Sequence, residues 1–373
     1  MKYLFSIILI FVLINSLYCS FQAALFNKMN IEKIGENLII SPLSIFQVLS
    51  LTTNGAKGET QSEMLEVLES KDIDELNKIN YEIISTFQKL STIDIANAVM
   101  TRFTPLEDFI SIANDYLAPI EPLVSVEQVN NWCSNKTHGK IPKILEELNA
   151  ETVMILLNAV YFKGEWSIQF EPELTKNLSF FNKGTEEIKV ETMSQIELFS
   201  YYEDKKVQAV ELRFKKDFMS ALILLPVEGT DINKYITSLA KSNEEYSKII
   251  NGLNIAKVHL QLPKFELNFS DNLNQILKDL GMFNAFNSQY ADFTGLREEK
   301  GLFISKVIHK TYLKVNEAGT EAAAVTAVAI DDGYVEGKIH DMKVNRPFLF
   351  LLKNSQLPNG HDLVFMSKIE KIE

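Results

Sequence analysis

The side chains of hydrolytic chemistry are all present in this chain, but not at the spacings hydrolysis uses. Serine, histidine and aspartate occur, yet no G-x-S-x-G elbow follows a strand pattern. C-x-x-C, H-E-x-x-H, Walker-type and dinucleotide-binding glycine signatures are missing as well. The five histidines, His138, His259, His309, His340 and His361, are scattered, and Cys19 and Cys133 are the two cysteines. These features argue against a metal site, a disulfide framework and catalysis by the chain itself, and no cofactor is expected.

The distinctive stretch is Asn316 to Tyr334, N-E-A-G-T-E-A-A-A-V-T-A-V-A-I-D-D-G-Y. From Thr320 to Ile330 it holds no proline, aromatic or lysine. Propensity alone would make this an alanine-rich helix. Strand alternation instead puts Thr320, Ala322, Ala324, Thr326, Val328 and Ile330 on one face and Glu321, Ala323, Val325, Ala327 and Ala329 on the other. One face is then wholly small or apolar, which suits a segment that slides between two existing strands.

The rest of the chain must supply those strands. At 373 residues it is long enough for one large domain or two ordinary ones, and 46% hydrophobic content allows a large core. A net charge of −12 argues against nucleic acid as a partner, and Lys205-Lys206 and Lys215-Lys216 read as solvated doublets. Met1 to Ser20 places Lys2 before an apolar run, Tyr3 to Ile14, and small residues at Cys19 and Ser20. That is the pattern of a secretory signal peptide, too short for a comfortable membrane span; the alternative is a buried first helix that stays attached.

Further on, Ser41-Pro42 starts a helix with Ile45, Val48, Leu49 and Leu51 apolar, and residues 73 to 90 carry a helical period. Met219 to Pro226 reads as a strand buried on both faces. From Val258 the alternation shifts phase after Pro263, as at a bend or bulge. Residues 304 to 315 alternate His309, Thr311, Leu313 and Val315 against Lys310, Tyr312 and Lys314, and feed straight into the distinctive stretch. No linker or internal repeat divides the chain.

Several blocks together resemble the serpins, suicide inhibitors of serine proteases. Asn37 to Thr60 is similar to the family's N-I-x-x-S-P-x-S-I…G-A-x-G-x-T block, and Asn158, Phe162, Lys163, Gly164 and Trp166 match N-x-x-x-F-K-G-x-W. Glu317, Gly319, Thr320, Glu321, Ala322, Ala323 and Ala324 match the inhibitory hinge pattern, with Ala318 standing where the family usually has a charge. The resemblance covers Phe21 to Ile372. It implies an α+β serpin fold: a large central, mainly antiparallel sheet, two further sheets, surrounding helices and an exposed reactive-centre loop. The domains expected are a signal peptide over 1–20 and one serpin domain over 21–373, with hinge and loop at 316–341.

The function implied is irreversible serine-protease inhibition by loop cleavage and insertion, with the target protease as a covalently held partner. A non-inhibitory carrier or chaperone, and a cross-class inhibitor of an aspartate-specific protease, are the alternatives. Family spacing counted from Glu317 puts the reactive bond between Gly333 and Tyr334; cutting after Tyr334 would suit a chymotrypsin-like pocket, and Asp332 an aspartate-selective enzyme. Ser41, Ser44, Asn158 and His309 match the cluster that lets the central strands part, although His309 could equally be a satisfied core histidine. Trp166 and the Lys264–Glu317 pair match residues at the mouth of the hinge, the pair being worth about 0–1 kcal/mol if exposed. Sequons at Asn135, Asn177 and Asn268 are candidate glycosylation sites of a secreted, extracellular glycoprotein. A cytoplasmic inhibitor is the alternative if the first segment stays attached. The helix at residues 73 to 90 lies where some serpins bind heparin, but its mixed charges predict no heparin site. A monomer with no membrane contact after signal cleavage is expected.

Overall fold

The computed structural model describes residues 20–90, 92–216, 218–320, 338–358 and 360–373. In chain order the strands are β1 (Leu38–Ile40), β2 (Ile93–Thr101), β3 (Ile120–Pro122), β4 (Met154–Phe162), β5 (Gly164–Glu165), β6 (Lys176–Asn182), β7 (Glu186–Glu203), β8 (Val207–Arg213), β9 (Met219–Pro226), β10 (Asn254–Pro263), β11 (Phe265–Asn272), β12 (Lys306–Val315), β13 (Gly319–Thr320), β14 (His340–Lys343), β15 (Phe348–Asn354) and β16 (Leu363–Ile369). They form three sheets. Nine strands run β1-β16-β15-β9-β8-β7-β10-β14 with β6 beside β7, five run β11-β12-β4-β2-β3, and β13 pairs with β5. With the helices packed around them, this is the α+β architecture that the serpin resemblance implies.

In the five-stranded sheet β11·β12 and β4·β2 are antiparallel, whereas β12·β4 and β2·β3 are parallel. The parallel β12·β4 pair is direct, from Lys306 opposite Ile155 to Tyr312 opposite Tyr161. All of β4 is buried, which is why its sequence reads M-I-L-L-N-A-V-Y-F with one polar residue. The phase shift after Pro263 is larger than a bend. β10 belongs to the nine-stranded sheet and β11 to the five-stranded one, so the chain changes sheets at Pro263–Phe265. Phe265 then packs edge-on against Phe348 and Phe350 of the other sheet, with centroids 5.7 and 5.4 Å apart.

The helix Pro42–Gly55 lies in the core with nearly every residue buried. Pro42 suits the first turn because its missing N–H would be unpaired there, and the Ser41 hydroxyl accepts the Ser44 N–H. Three of its buried hydroxyls are satisfied by the preceding turn: Ser50 donates to the Phe46 carbonyl at 2.7 Å, Thr52 to Val48 and Thr53 to Leu49 at 2.8 Å. The periodic segment at 73 forms the helix Ile73–Phe87, capped by Asp72 accepting the Glu75 N–H. Cys133 is buried, and burial pushes its thiol up to about 12, so it fills core rather than reacting. Among the described residues no helix is long and apolar enough to cross a membrane.

Candidate functional site

The end of β12 opens onto a tight reversal. Asn316 and Gly319 exchange backbone hydrogen bonds, Asn316 N–H to the Gly319 carbonyl at 2.8 Å and Gly319 N–H to the Asn316 carbonyl at 3.2 Å. The Asn316 side-chain oxygen also accepts the Ala318 N–H at 3.1 Å. Gly319 is required on two counts. Its φ is +143°, and a Cβ there would lie 2.0 Å from the Gly164 carbonyl oxygen. The chain then runs back as β13, pairing Gly319 with Glu165 and Thr320 with Gly164. Since β5 follows directly on β4, this places Thr320 between the continuation of β4 and the end of β12.

Thr320 is fully buried, and its hydroxyl accepts the Gly164 N–H at 2.8 Å. Below it, the Trp166 indole donates to the Asn316 carbonyl at 3.0 Å while the ring stacks on Phe214, 4.4 Å between centroids. The Glu317 carboxylate meets Lys264 at 3.3 Å and accepts the Thr175 hydroxyl at 2.8 Å; Lys264 also meets Glu191 at 3.2 Å. Burial pushes the Glu317 carboxyl up, but its hydrogen bonds and Lys264 more than offset this, so its pKa lies below the ordinary carboxylate value. The pair is part of a half-buried network rather than an exposed bridge. Of the hinge residues expected from sequence, Glu317, Gly319 and Thr320 are brought together here. Glu321, Ala322, Ala323 and Ala324, and the bond residues Asp332, Gly333 and Tyr334, lie outside the described residues.

A second cluster lies under the β12·β4 pair. His309 of β12, Asn158 of β4 and Asn97 of β2 occupy one register line across three neighbouring strands. Ser41 and Ser44, at the start of the Pro42–Gly55 helix, meet them from below. The Ser41 N–H donates to His309 Nε2 at 3.1 Å, so that nitrogen is unprotonated and Nδ1 carries the hydrogen, donated to Asn158 Oδ1 at 2.5 Å. Asn158 Nδ2 donates to Ser44 Oγ and to Asn97 Oδ1, the latter at 2.5 Å. Thr311, one strand repeat along, donates its hydroxyl to the Ile39 carbonyl at 3.0 Å. His309 is wholly buried, and burial pushes its pKa down to about 3. A protonated ring would turn Nε2 into a donor facing the Ser41 N–H, so hydrogen-bond geometry and burial agree on the neutral form.

All four residues expected in the cluster meet in space. Sequence reasoning missed Asn97, although an asparagine between alanines in the apolar alternation of β2 was the available signal. It also missed Thr175, Glu191 and Phe214, whose roles depend on strands far away in the chain. Of the sequon asparagines, Asn135, Asn177 and Asn268 are all exposed. Among the described residues no group of three His, Cys, Asp or Glu side chains converges as metal ligands would. The arrangement holds strands and a reversal; its chemistry is hydrogen bonding, not bond cleavage.

Comparison with known proteins gives the same fold and chain extent. A family model described as serpin (serine protease inhibitor) matches residues 16–371. Iripin-2 of Ixodes ricinus is 31% identical over 90% of this chain and 88% of its own. The leukocyte elastase inhibitor of Xenopus laevis is 31% identical over 89% of this chain and 93% of its own. Among solved structures, the thermophilic serpin tengpin in its native state superposes with a TM-score of 0.85 at 32% identity, covering 95% of this chain and 93% of that one.

Proposed function

Given that the chain belongs to the serpin family, whose members include inhibitors such as the leukocyte elastase inhibitor, we propose that it irreversibly inhibits a serine protease. The protease cuts the loop as it forms its acyl intermediate, the new C-terminal end staying bonded to the protease serine, and the freed segment inserts between β4 and β12. One observation carries this reading: the chain has already reversed at Asn316–Gly319 and placed Thr320 at the head of the parallel β12·β4 pair. A strand continuing from there runs antiparallel to both neighbours, so it can pair on both sides.

The Asn316–Gly319 register, continued, sets Ala322 opposite Leu313, Ala324 opposite Thr311 and Thr326 opposite His309. Those β12 residues are buried, which explains the demand for small side chains on that face. Insertion must also break the direct His309–Asn158 contact. A cluster built only of hydrogen bonds can open and re-form. Each new backbone hydrogen bond contributes about 1 kcal/mol net, so a strand of about ten residues offers roughly 10 kcal/mol before apolar burial. That is sufficient to distort a tethered protease before water completes hydrolysis. Gly333–Tyr334 is the bond we favour, with cutting after Tyr334 or Asp332 as the alternatives.

The test is a denaturing gel after mixing with a chymotrypsin-like protease, an aspartate-cutting protease and trypsin. A boiling-resistant band near the summed masses is expected, and the mass of the released C-terminal peptide identifies the bond. The same purified material, sequenced from its N-terminus, decides whether Met1 to Ser20 has been removed. Cleavage with neither a covalent band nor a rise in melting temperature would overturn the inhibitor in favour of a carrier or chaperone.

A further inference from the structure

Away from the hinge, three neighbouring strands of the nine-stranded sheet bring a serine, a histidine and an aspartate into one hydrogen-bonded line. Ser194 Oγ of β7 lies 3.2 Å from His259 Nε2 of β10, and His259 Nδ1 lies 2.9 Å from Asp341 Oδ1 of β14. The nitrogens are used in the order a hydrolytic triad uses them, Nε2 to the nucleophile and Nδ1 to the carboxylate. The line lies on the open face of the sheet: the His259 side chain is 28% exposed and that of Asp341 is 65% exposed. Along the same face of β7, Ile196 and Leu198 are exposed, with Ile255 of β10 beside them.

We propose that this line is a second reactive centre, in which Ser194 takes the acyl group of a small carboxylic ester. His259 is the base and Asp341 a positioning residue that holds the imidazole with Nε2 free to accept. The Ser194 oxygen bonds to the ester carbonyl carbon while its proton passes to His259 Nε2. The C–O bond to the leaving alcohol then breaks, and that alcohol departs with the proton. Water next attacks the acyl-serine; its proton passes to His259 and back to Ser194 Oγ as the carboxylic acid leaves.

The same geometry sets the pace. Along Ser194, β7 pairs with β10 alone, since its pairing with β6 ends at Thr192 and that with β8 begins at Ser200. Successive amides of an extended strand point to opposite sides, so they do not converge as a main-chain oxyanion hole. The donors nearest in register are side chains, Gln261 opposite Ser194 and Lys343 opposite Gln261. Acylation and deacylation should therefore both be slow, and only an activated ester, whose leaving group departs readily, should acylate faster than the acyl-serine hydrolyses and so let it accumulate. Ile196 and Leu198 favour an uncharged, apolar acyl group.

The experiment uses the full chain with p-nitrophenyl acetate, following the acetyl group by peptide mass. Acetylation should concentrate on Ser194, with a nitrophenol burst of one equivalent. His259→Ala should slow acetylation of Ser194 about 100-fold. Asp341→Asn should slow it too, with Asp341→Glu recovering part of the rate at an unchanged melting temperature. Acetyl groups spread over surface lysines with none on Ser194, or a Ser194 rate unaffected by His259→Ala, would overturn the proposal and leave the line as a structural tie between strands. Neither outcome touches the inhibitor reading, which involves none of these three residues.

Discussion

His309 and His259 each engage both ring nitrogens, and the two sites differ in almost everything else. His309 is buried without exposure beneath a five-stranded sheet, between a backbone N–H and an asparagine amide. His259 lies on an open sheet face between a hydroxyl and a carboxylate. In the first site every donor and acceptor has been withdrawn from water, so each must keep its partner or remain unsatisfied. In the second, water can replace any partner that leaves. The same side chain with the same connectivity is therefore a structural element in one place and a candidate base in the other. Solvent access makes the difference.

The largest effect should come from breaking the buried site. Asn158→Ala strands the His309 Nδ1–H and leaves Ser44 Oγ and Asn97 Oδ1 with only the long 3.5 Å hydrogen bond between them, and should destabilise the fold by about 3 kcal/mol. Urea unfolding measures it, and a loss under about 1 kcal/mol would mean that water enters beneath the sheet.

Acid tests the buried site in a second way. The folded pKa of His309, about 3, lies below its ordinary 6.5. Between those values the unfolded chain binds the proton and the folded chain does not. The stabilisation is thus complete above pH 6.5 and is lost as pH falls toward 3, at up to about 1.4 kcal/mol per pH unit. His309→Gln should remove that part of the slope in a pH series of urea midpoints. An identical slope in both proteins would show that His309 takes up its proton without unfolding.

The smallest effect should be Ser194→Ala, within about 0.5 kcal/mol of the parent in the same unfolding assay. A cost approaching that of Asn158→Ala would collapse the distinction, making the surface line as structural as the buried one.

Much of this molecule could be read directly from its letters. A buried strand announces itself by composition, as Met219 to Pro226 does, because both of its faces must be apolar. Gly319 and the small residues that follow it are local requirements, set by a positive φ and by alternation, and local requirements leave local signatures. Ser41, Ser44, Asn158 and His309 were legible for another reason: they sit within blocks resembling the serpins. Asn97 was not, since nothing near it in the chain indicates that β2 will lie beside β4.

The rest was decided by tertiary structure. Composition and alternation could establish that strands exist, but not that β10 and β11 part company at Pro263–Phe265 to join different sheets. Nor could they show that the half-buried Glu317 would be shared between Lys264 and Thr175. Ser194, His259 and Asp341 are the plainest case. They lie 65 and 82 residues apart along the chain, and each sits in an unremarkable strand pattern. Only the pairing of β7, β10 and β14 sets them in one line. Side-chain alternation is a property of each strand alone, whereas the order and register of strands come from burying the whole core at once.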